Sequence, residues 1–385
     1  MRDVFVIGLG MAPVGEHWEL SLANLSARAM LSAMRDAGGV QPQALYVGNF
    51  LAYAVSQQAN LGAKLAGNAG LKHVETLTAE AGEASGAAAL RLGYLAVRSG
   101  YVDAALVVAV EKYTDMVGSG MDAVIAQSAD ADFESAQGLT SSGQAAMLAQ
   151  RYLESYHVPR EGLAGLPLLA HAHAVHNPLA MFRRAIDLDA YMRTPVTDYP
   201  LNLYDAAPPA DGAAALMLVS ADHLPKGSGH APVRIAASSV AVDALSPHDR
   251  PDPLDFSAAA ISARQALSQA GLGWERLHLF EVWDAFSIYG LLSIEACGLA
   301  PRGEGWRWLA EGGHSPTGGL PLLTMGGSKA RGYPLGASGL YQAAEAALQL
   351  RGEAGGCQVP GAQTAIVQAL GGPAATAITH ILARA

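Results

Sequence analysis

Only two cysteines, Cys297 and Cys357, occur in 385 residues. That is too few for a disulfide framework or a structural zinc site, and it suits a reducing compartment, so a soluble cytoplasmic protein is expected. Charge is also scarce. Charged residues make up 15% of the chain and the formal net charge is -10, with no run of Lys or Arg. The positive footprint that grips a phosphate backbone is therefore missing, which argues against a nucleic-acid partner. No stretch of about 18 apolar residues runs without Gly, Pro or charge, so no membrane span is expected. The opening Met1-Arg-Asp-Val-Phe-Val-Ile7 reads directly as a strand pattern.

What is abundant is apolar and small. Hydrophobic residues form 51% of the chain and glycine alone contributes 43 positions. This composition favours closely packed helices and sheets over a disordered or fibrous chain. The length suits two or three globular units, or one large duplicated one.

Val4 to Ile7 is a short apolar run ended by Gly8-Leu9-Gly10, and Leu20 to Met34 follows with helical spacing. A strand near 74–78, a turn at Ala81-Gly82, a helix from about 84 to 98 and a strand from Ala104 to Val110 come next. Such alternation predicts a parallel α/β sheet covered on both faces. The plan recurs after Gly312: Gly332-Tyr-Pro-Leu-Gly-Ala-Ser-Gly339 opens a helix through Leu350, and Thr364 to Leu370 supplies a strand. Ala84-Ser85-Gly86 thus matches Ala337-Ser338-Gly339, and the chain reads as an internal duplication. Both helices carry small residues on more than one face, which predicts that they lie back to back between two sheets, with amphipathic helices outside. The halves are drawn at 1–230 and 231–385, with a strand-poor insertion at about 114–209 in the first.

Several local signals carry little. Gly8-Leu9-Gly10 lacks the third glycine of a dinucleotide fingerprint, and no phosphate-binding P-loop or nucleophile elbow is present. His171, His173 and His176 lack the further Cys or Glu that would close a metal site, so solvated or hydrogen-bonded histidines are the better reading and no metal is expected. Arg183-Arg184 is either a contact for a coenzyme A phosphate or a solvated surface pair.

Taken together, His176-Asn177-Pro178, Asp211-Gly-Ala-Ala-Ala, Glu281-Val-Trp-Asp-Ala-Phe286, Gly326-Gly327 with Gly332 to Gly339, and Gly371-Gly372 occur in the order and rough spacing of thiolases. From about residue 3 to 383 the chain resembles the sterol-carrier, or lipid-transfer, branch of that superfamily. The resemblance implies a duplicated five-layer αβαβα fold, a homodimer or homotetramer, and acyl-CoA thioesters as substrates with no other cofactor.

Against that family's pattern, Glu83 stands where the nucleophilic cysteine is expected. Trp283-Asp284-Ala285-Phe286 replaces His-Asp-Cys-Phe, and Gly332-Tyr333-Pro334 replaces Gly-His-Pro. Claisen condensation needs a soft thiolate, a base beside it and donors for the enolate oxygen. Neither alanine nor tryptophan moves protons, so ordinary acetyl transfer is not expected. Lipid-transfer-type members that lack the cysteine and carry tyrosine at the Gly-His-Pro position are retro-aldolases working with a small zinc-ribbon and OB-fold partner, and the resemblance extends that activity and partner to this chain. They use a second tyrosine where Trp283 stands here.

Glu83 has three readings: an inert helix-capping replacement, a general base, or a nucleophile passing through an anhydride. At the positive end of a buried helix it is expected to be ionised, unless burial opposes that effect. Tyr333 either fills the space of an imidazole or donates a proton to an enolate. Asp284 is expected to orient a neighbour, Trp283 and Phe286 to wall the pocket, and Tyr289 either to face the cleft or to pack. Asn177 is assigned to substrate binding, as are the backbone N–H groups near Gly371 and Gly372, which would hold the thioester oxygen. The resulting expectation is an acyl-CoA-directed enzyme that makes or breaks a carbon–carbon bond without an acyl-enzyme. The alternatives are a non-catalytic scaffold subunit for a thiolase paralogue or OB-fold partner, and an acetyl-CoA acetyltransferase acting through a relocated thiol.

Overall fold

The computed structural model describes residues 1–116, 118–225, 229–314 and 319–385. Residue 117 of the insertion and residues 226–228 and 315–318 of the two halves lie outside that description. Strands β1 (Val4–Met11), β2 (Ala44–Gly48), β3 (Glu75–Ala79), β4 (Ala104–Glu111), β5 (Val196–Asp198), β6 (Leu201–Asn202), β7 (Gly212–Ser220), β8 (Val233–Val242), β9 (Leu279–Glu281), β10 (Thr364–Gly371) and β11 (Thr376–Arg384) follow in chain order. All but β5 and β6 join one nine-stranded sheet in the order β3-β2-β4-β7-β1-β8-β11-β10-β9.

Two expectations are corrected here. The sheet is mixed rather than parallel: β2 runs parallel to β3 and β4, and β9 to β10, but every pairing along β4-β7-β1-β8-β11-β10 is antiparallel. The two halves also do not form separate sheets, because Phe5 and Val6 of β1 pair with Arg234 and Val233 of β8.

The layers nevertheless follow from strand alternation. Phe5 and Ile7 face one way and share a cluster with Leu25 and Met30 of the helix Leu22–Asp36. Val4 and Val6 face the other way, toward Leu90, Val97, Leu340 and Ala344 of the two buried helices, Ser85–Ser99 and Ser338–Arg351. The helix Ser257–Ala270 packs on the outer face of β8 and β11. The order is thus helix, one end of the sheet, paired helices, the other end of the same sheet, helix.

Glycine sets the closest approaches. A Cβ on Gly86 would come within 2.8 Å of the Gly336 carbonyl oxygen, and one on Gly339 within 3.1 Å of the Ala87 nitrogen, so the buried helices touch backbone to backbone at their matching Ala-Ser-Gly starts. Gly8 and Gly10 are a second case and a correction. They do not end β1 but lie within it, where a Cβ would fall 2.1 Å from the Ala33 oxygen and 2.0 Å from that of Ala29. The sequence signal for a turn was in fact a landing for the first helix.

Candidate active site

Glu83 sits just before the first buried helix, in a turn stapled by Ser85, whose hydroxyl donates to the Gly82 carbonyl and accepts from the Ala81 N–H. Gly82 takes a φ of +56° there, a conformation that favours glycine. The carboxylate is buried. Ser128 donates its hydroxyl to Oε1 at 2.9 Å and Gly372 its backbone N–H to Oε2 at 2.8 Å. Burial raises its pKa despite these hydrogen bonds, so the effect expected to oppose the helix terminus is present. Gly372 is a correction, since the N–H expected to hold a thioester oxygen is given to Glu83. Gly371 lies beside it at the end of β10, paired with Thr376.

Tyr333 is buried opposite. Its N–H donates to the Pro208 carbonyl, and its own carbonyl accepts from the Tyr113 hydroxyl at 2.7 Å. Burial holds its phenol well above the ordinary range, and the nearby Glu83 charge pushes in the same direction. The Tyr289 phenol is raised for the same two reasons, burial first and Glu83 next. The structure thus brings Glu83, Tyr333 and Tyr289 into one electrostatic neighbourhood. Among the described residues neither tyrosine hydroxyl makes a hydrogen bond.

Aromatic rings fix this neighbourhood. Trp283 meets Tyr333 edge-on at 5.8 Å between ring centroids, and Tyr289 lies edge-on to Phe286 at 5.1 Å and to Phe256 at 5.8 Å. Two other assigned residues hold backbone. Asp284 accepts the N–H groups of Ser328 and Lys329 at 2.7 and 3.1 Å, which anchors the short helix Gly327–Arg331 leading to Tyr333. Asn177 donates to the Met325 carbonyl and accepts from Leu179, tying the insertion to the same segment.

A cavity of about 490 Å³ backs onto this segment. Pro208 and Pro209, which seat Tyr333, form part of its wall, together with Met181, Phe182, Ile186 and Tyr204. Its polar lining is basic, from His171, Arg183, Arg184 and Lys329, with no Asp or Glu. His171 therefore parts from its sequence neighbours, because His173 and His176 line a separate cavity of about 210 Å³ with His314 and Cys357. Among the described residues no group of three or more His, Cys, Asp or Glu is arranged to hold a metal ion. No helix there is long and apolar enough to cross a membrane.

Sequence reasoning missed Ser128 and Lys329. Ser128 lies in a 3-10 turn of the irregular insertion, 45 residues from Glu83, and nothing local marks it. Lys329 carried a signal that went unread, as a lysine among the small and apolar residues before Tyr333.

Comparison with known proteins places this geometry. Residues 4–222 match the thiolase N-terminal domain and residues 239–384 the thiolase C-terminal domain-like family. The chain belongs to the thiolase superfamily. It is 39% identical to an acetyl-CoA acetyltransferase of Methanothermobacter thermautotrophicus over the full length of both chains. It is also 34% identical to sterol carrier protein 2 of Rattus norvegicus over 235 residues, covering 60% of this chain and 43% of the relative. Among solved structures, the fold matches a chain of the Ltp2-ChsH2(DUF35) aldolase with a TM-score of 0.85 at 23% identity, covering 99% of this chain and 98% of that one.

Proposed function

We propose that the protein acts on acyl-CoA thioesters and makes or breaks a carbon–carbon bond by general acid–base chemistry, without a cysteine acyl-enzyme. The observation that carries this reading is the buried Glu83 carboxylate, oriented by Ser128 and Gly372 and sharing its surroundings with two phenols that have no hydrogen-bond partner among the described residues. A raised pKa suits a base, because it strengthens proton uptake near neutral pH.

In the cleavage direction, Glu83 takes the proton of a β-hydroxyl group. The Cα–Cβ bond breaks, its electron pair passes into the thioester enolate, and a carbonyl compound leaves. Tyr333, kept neutral by burial, gives its proton to Cα. Proton return from Glu83 through solvent resets the pair. Trp283 holds the Tyr333 ring edge-on, and the basic cavity receives the anionic coenzyme, with the exposed Arg183 and Arg184 at its rim suited to phosphate.

Neither thiol supports the acetyltransferase alternative implied by the archaeal relative's name. Cys297 is buried with its pKa pushed up to about 12, and burial lifts Cys357 to about 11, so little thiolate forms at neutral pH. The partner, a small zinc-ribbon and OB-fold protein, and assembly as a homodimer or homotetramer belong to the same proposal. The test is incubation of the purified protein, with and without such a partner, with a set of β-hydroxyacyl-CoA esters. Release of a carbonyl compound and a shortened acyl-CoA is expected. If no ester is cleaved while Glu83→Gln and Tyr333→Phe proteins support a paralogue's activity as well as the parent does, the chain is a scaffold.

A further inference from the structure

Lys329 is 2% exposed and lines the basic cavity. Its ammonium makes one hydrogen bond, from Nζ to the Asp205 carbonyl at 2.7 Å, and no ion pair among the described residues. An ammonium has three N–H donors, so two are left over. The two carboxylates that act on it through space, Asp205 and Asp284, take no hydrogen bond from the ammonium. Asp205 accepts from the Tyr191 and Ser287 hydroxyls and the Asn202 N–H, and Asp284 accepts from the Ser328 and Lys329 backbone. The His171 ring, on the helix Gly165–Ala174, adds no negative charge, and its Nδ1 is engaged with the Arg184 carbonyl. A buried ammonium with two N–H donors unfilled is unfavourable unless something enters to complete its hydrogen bonds.

We propose that the completing group is a carboxylate on the acyl chain, making Lys329 a specificity-determining residue for CoA thioesters of dicarboxylic acids. This rests on the acyl-CoA reading above. The acyl end is assigned because Lys329 is buried on the short helix that leads to Tyr333, whereas the exposed Arg183 and Arg184 are available to the coenzyme's phosphates. Burial lowers the Lys329 pKa to about 8, with Asp284 and Asp205 opposing that shift. Charge on the ammonium, and with it carboxylate recognition, is therefore present below that pH and fades above it.

Isothermal titration calorimetry of the purified full chain with free CoA, butyryl-CoA and succinyl-CoA tests this. Succinyl-CoA is expected to bind about tenfold more tightly than butyryl-CoA, as a charge-assisted pair in a water-poor site allows. Lys329→Met should abolish that preference, bringing succinyl-CoA down to the affinity of butyryl-CoA. Equal affinity of the parent for the two thioesters, or a preference that survives in the Met protein, overturns the inference and leaves the acyl-CoA reading standing. Equal weakening of CoA and both thioesters in the Met protein would place Lys329 at the coenzyme's phosphates and also overturn it. If CoA and both thioesters fail to bind, the acyl-CoA reading itself falls and takes the inference with it. Should the Met protein fail to fold, the parent decides the matter: its preference should shrink from about pH 7 to about pH 9.5, and a preference constant over that range overturns the proposal.

Discussion

Gly372 donates its backbone N–H to the Glu83 carboxylate at 2.8 Å across 289 residues of chain. One half of the duplication therefore holds the candidate base of the other, and Tyr333 arrives from the same half as Gly372. Removing the acceptor should be felt in turnover far more than in folding. Glu83→Gln and Tyr333→Phe keep shape and volume, so each should lower β-hydroxyacyl-CoA cleavage by about 10²- to 10⁴-fold with little change in melting temperature. Steady-state rates and calorimetric melts on the same samples check this.

Thiol chemistry should leave the protein's activity untouched. With both cysteines protonated at neutral pH, iodoacetamide should neither label Cys297 in the native state nor alter turnover, and acetoacetyl-CoA thiolysis should stay at background. Thiolysis at a normal rate, abolished by alkylation, would refute the proposed chemistry.

Restoring the nucleophile alone should not restore a thiolase. Glu83→Cys keeps Gly82, Ser85 and Gly86, so the turn and the helix crossing should persist and the protein should fold. Trp283 and Tyr333 would still occupy the imidazole positions, so condensation of acetyl-CoA should remain undetectable by product chromatography.

Stability should fall as pH rises toward neutrality, through two carboxyls remote from any solvent. Burial lifts Glu111 to about 8, and burial together with the neighbouring Glu345 lifts Glu281 to about 7. Both folded values exceed the unfolded one, so the native state binds more protons in between. The stabilisation is complete below the unfolded pKa and is lost as pH climbs through the folded one. The slope should be on the order of 1 kcal/mol per pH unit for each group, and Glu111→Gln should flatten its share of it. Denaturant titrations from about pH 5 to about pH 8 measure both.

Gly86→Ala probes the helix crossing. The added methyl would meet the Gly336 oxygen at 2.8 Å, which is backbone and cannot swing aside. A loss of about 1–3 kcal/mol is expected, as for other overpacked cores, whereas Gly67→Ala, with open space around it, should be near neutral.

The duplication was legible because its signal is local and steric: Ala84-Ser85-Gly86 and Ala337-Ser338-Gly339 repeat the small residues that let two helices touch. The same residue type misled at Gly8 and Gly10, since a glycine that makes room for a neighbouring helix looks in sequence like one that turns the chain. Strand direction was illegible for a different reason, because β7 and β11 reach their partners by routes that a pattern of apolar residues does not record. At the site, Glu83 and Tyr333 stood out as departures from a family pattern. The hydrogen bond from Ser128, and the engagement of Gly372 with Glu83, depend on how distant loops meet. Which of burial and the helix terminus governs the Glu83 pKa was not legible, because desolvation is a property of the whole fold, whereas the helix terminus is visible in a dozen residues.

The pairing of β1 has a bearing on synthesis. Its partners are β7, which begins at Gly212, and β8, which begins at Val233. During synthesis β1 therefore waits for about two hundred further residues before its hydrogen bonds can close, and contacts of such long sequence separation form late. Through that interval an apolar segment with unpaired edges is exposed, a state prone to association with other chains. A nascent chain arrested before β7 should thus be held by a general chaperone, and released from it once β8 has emerged.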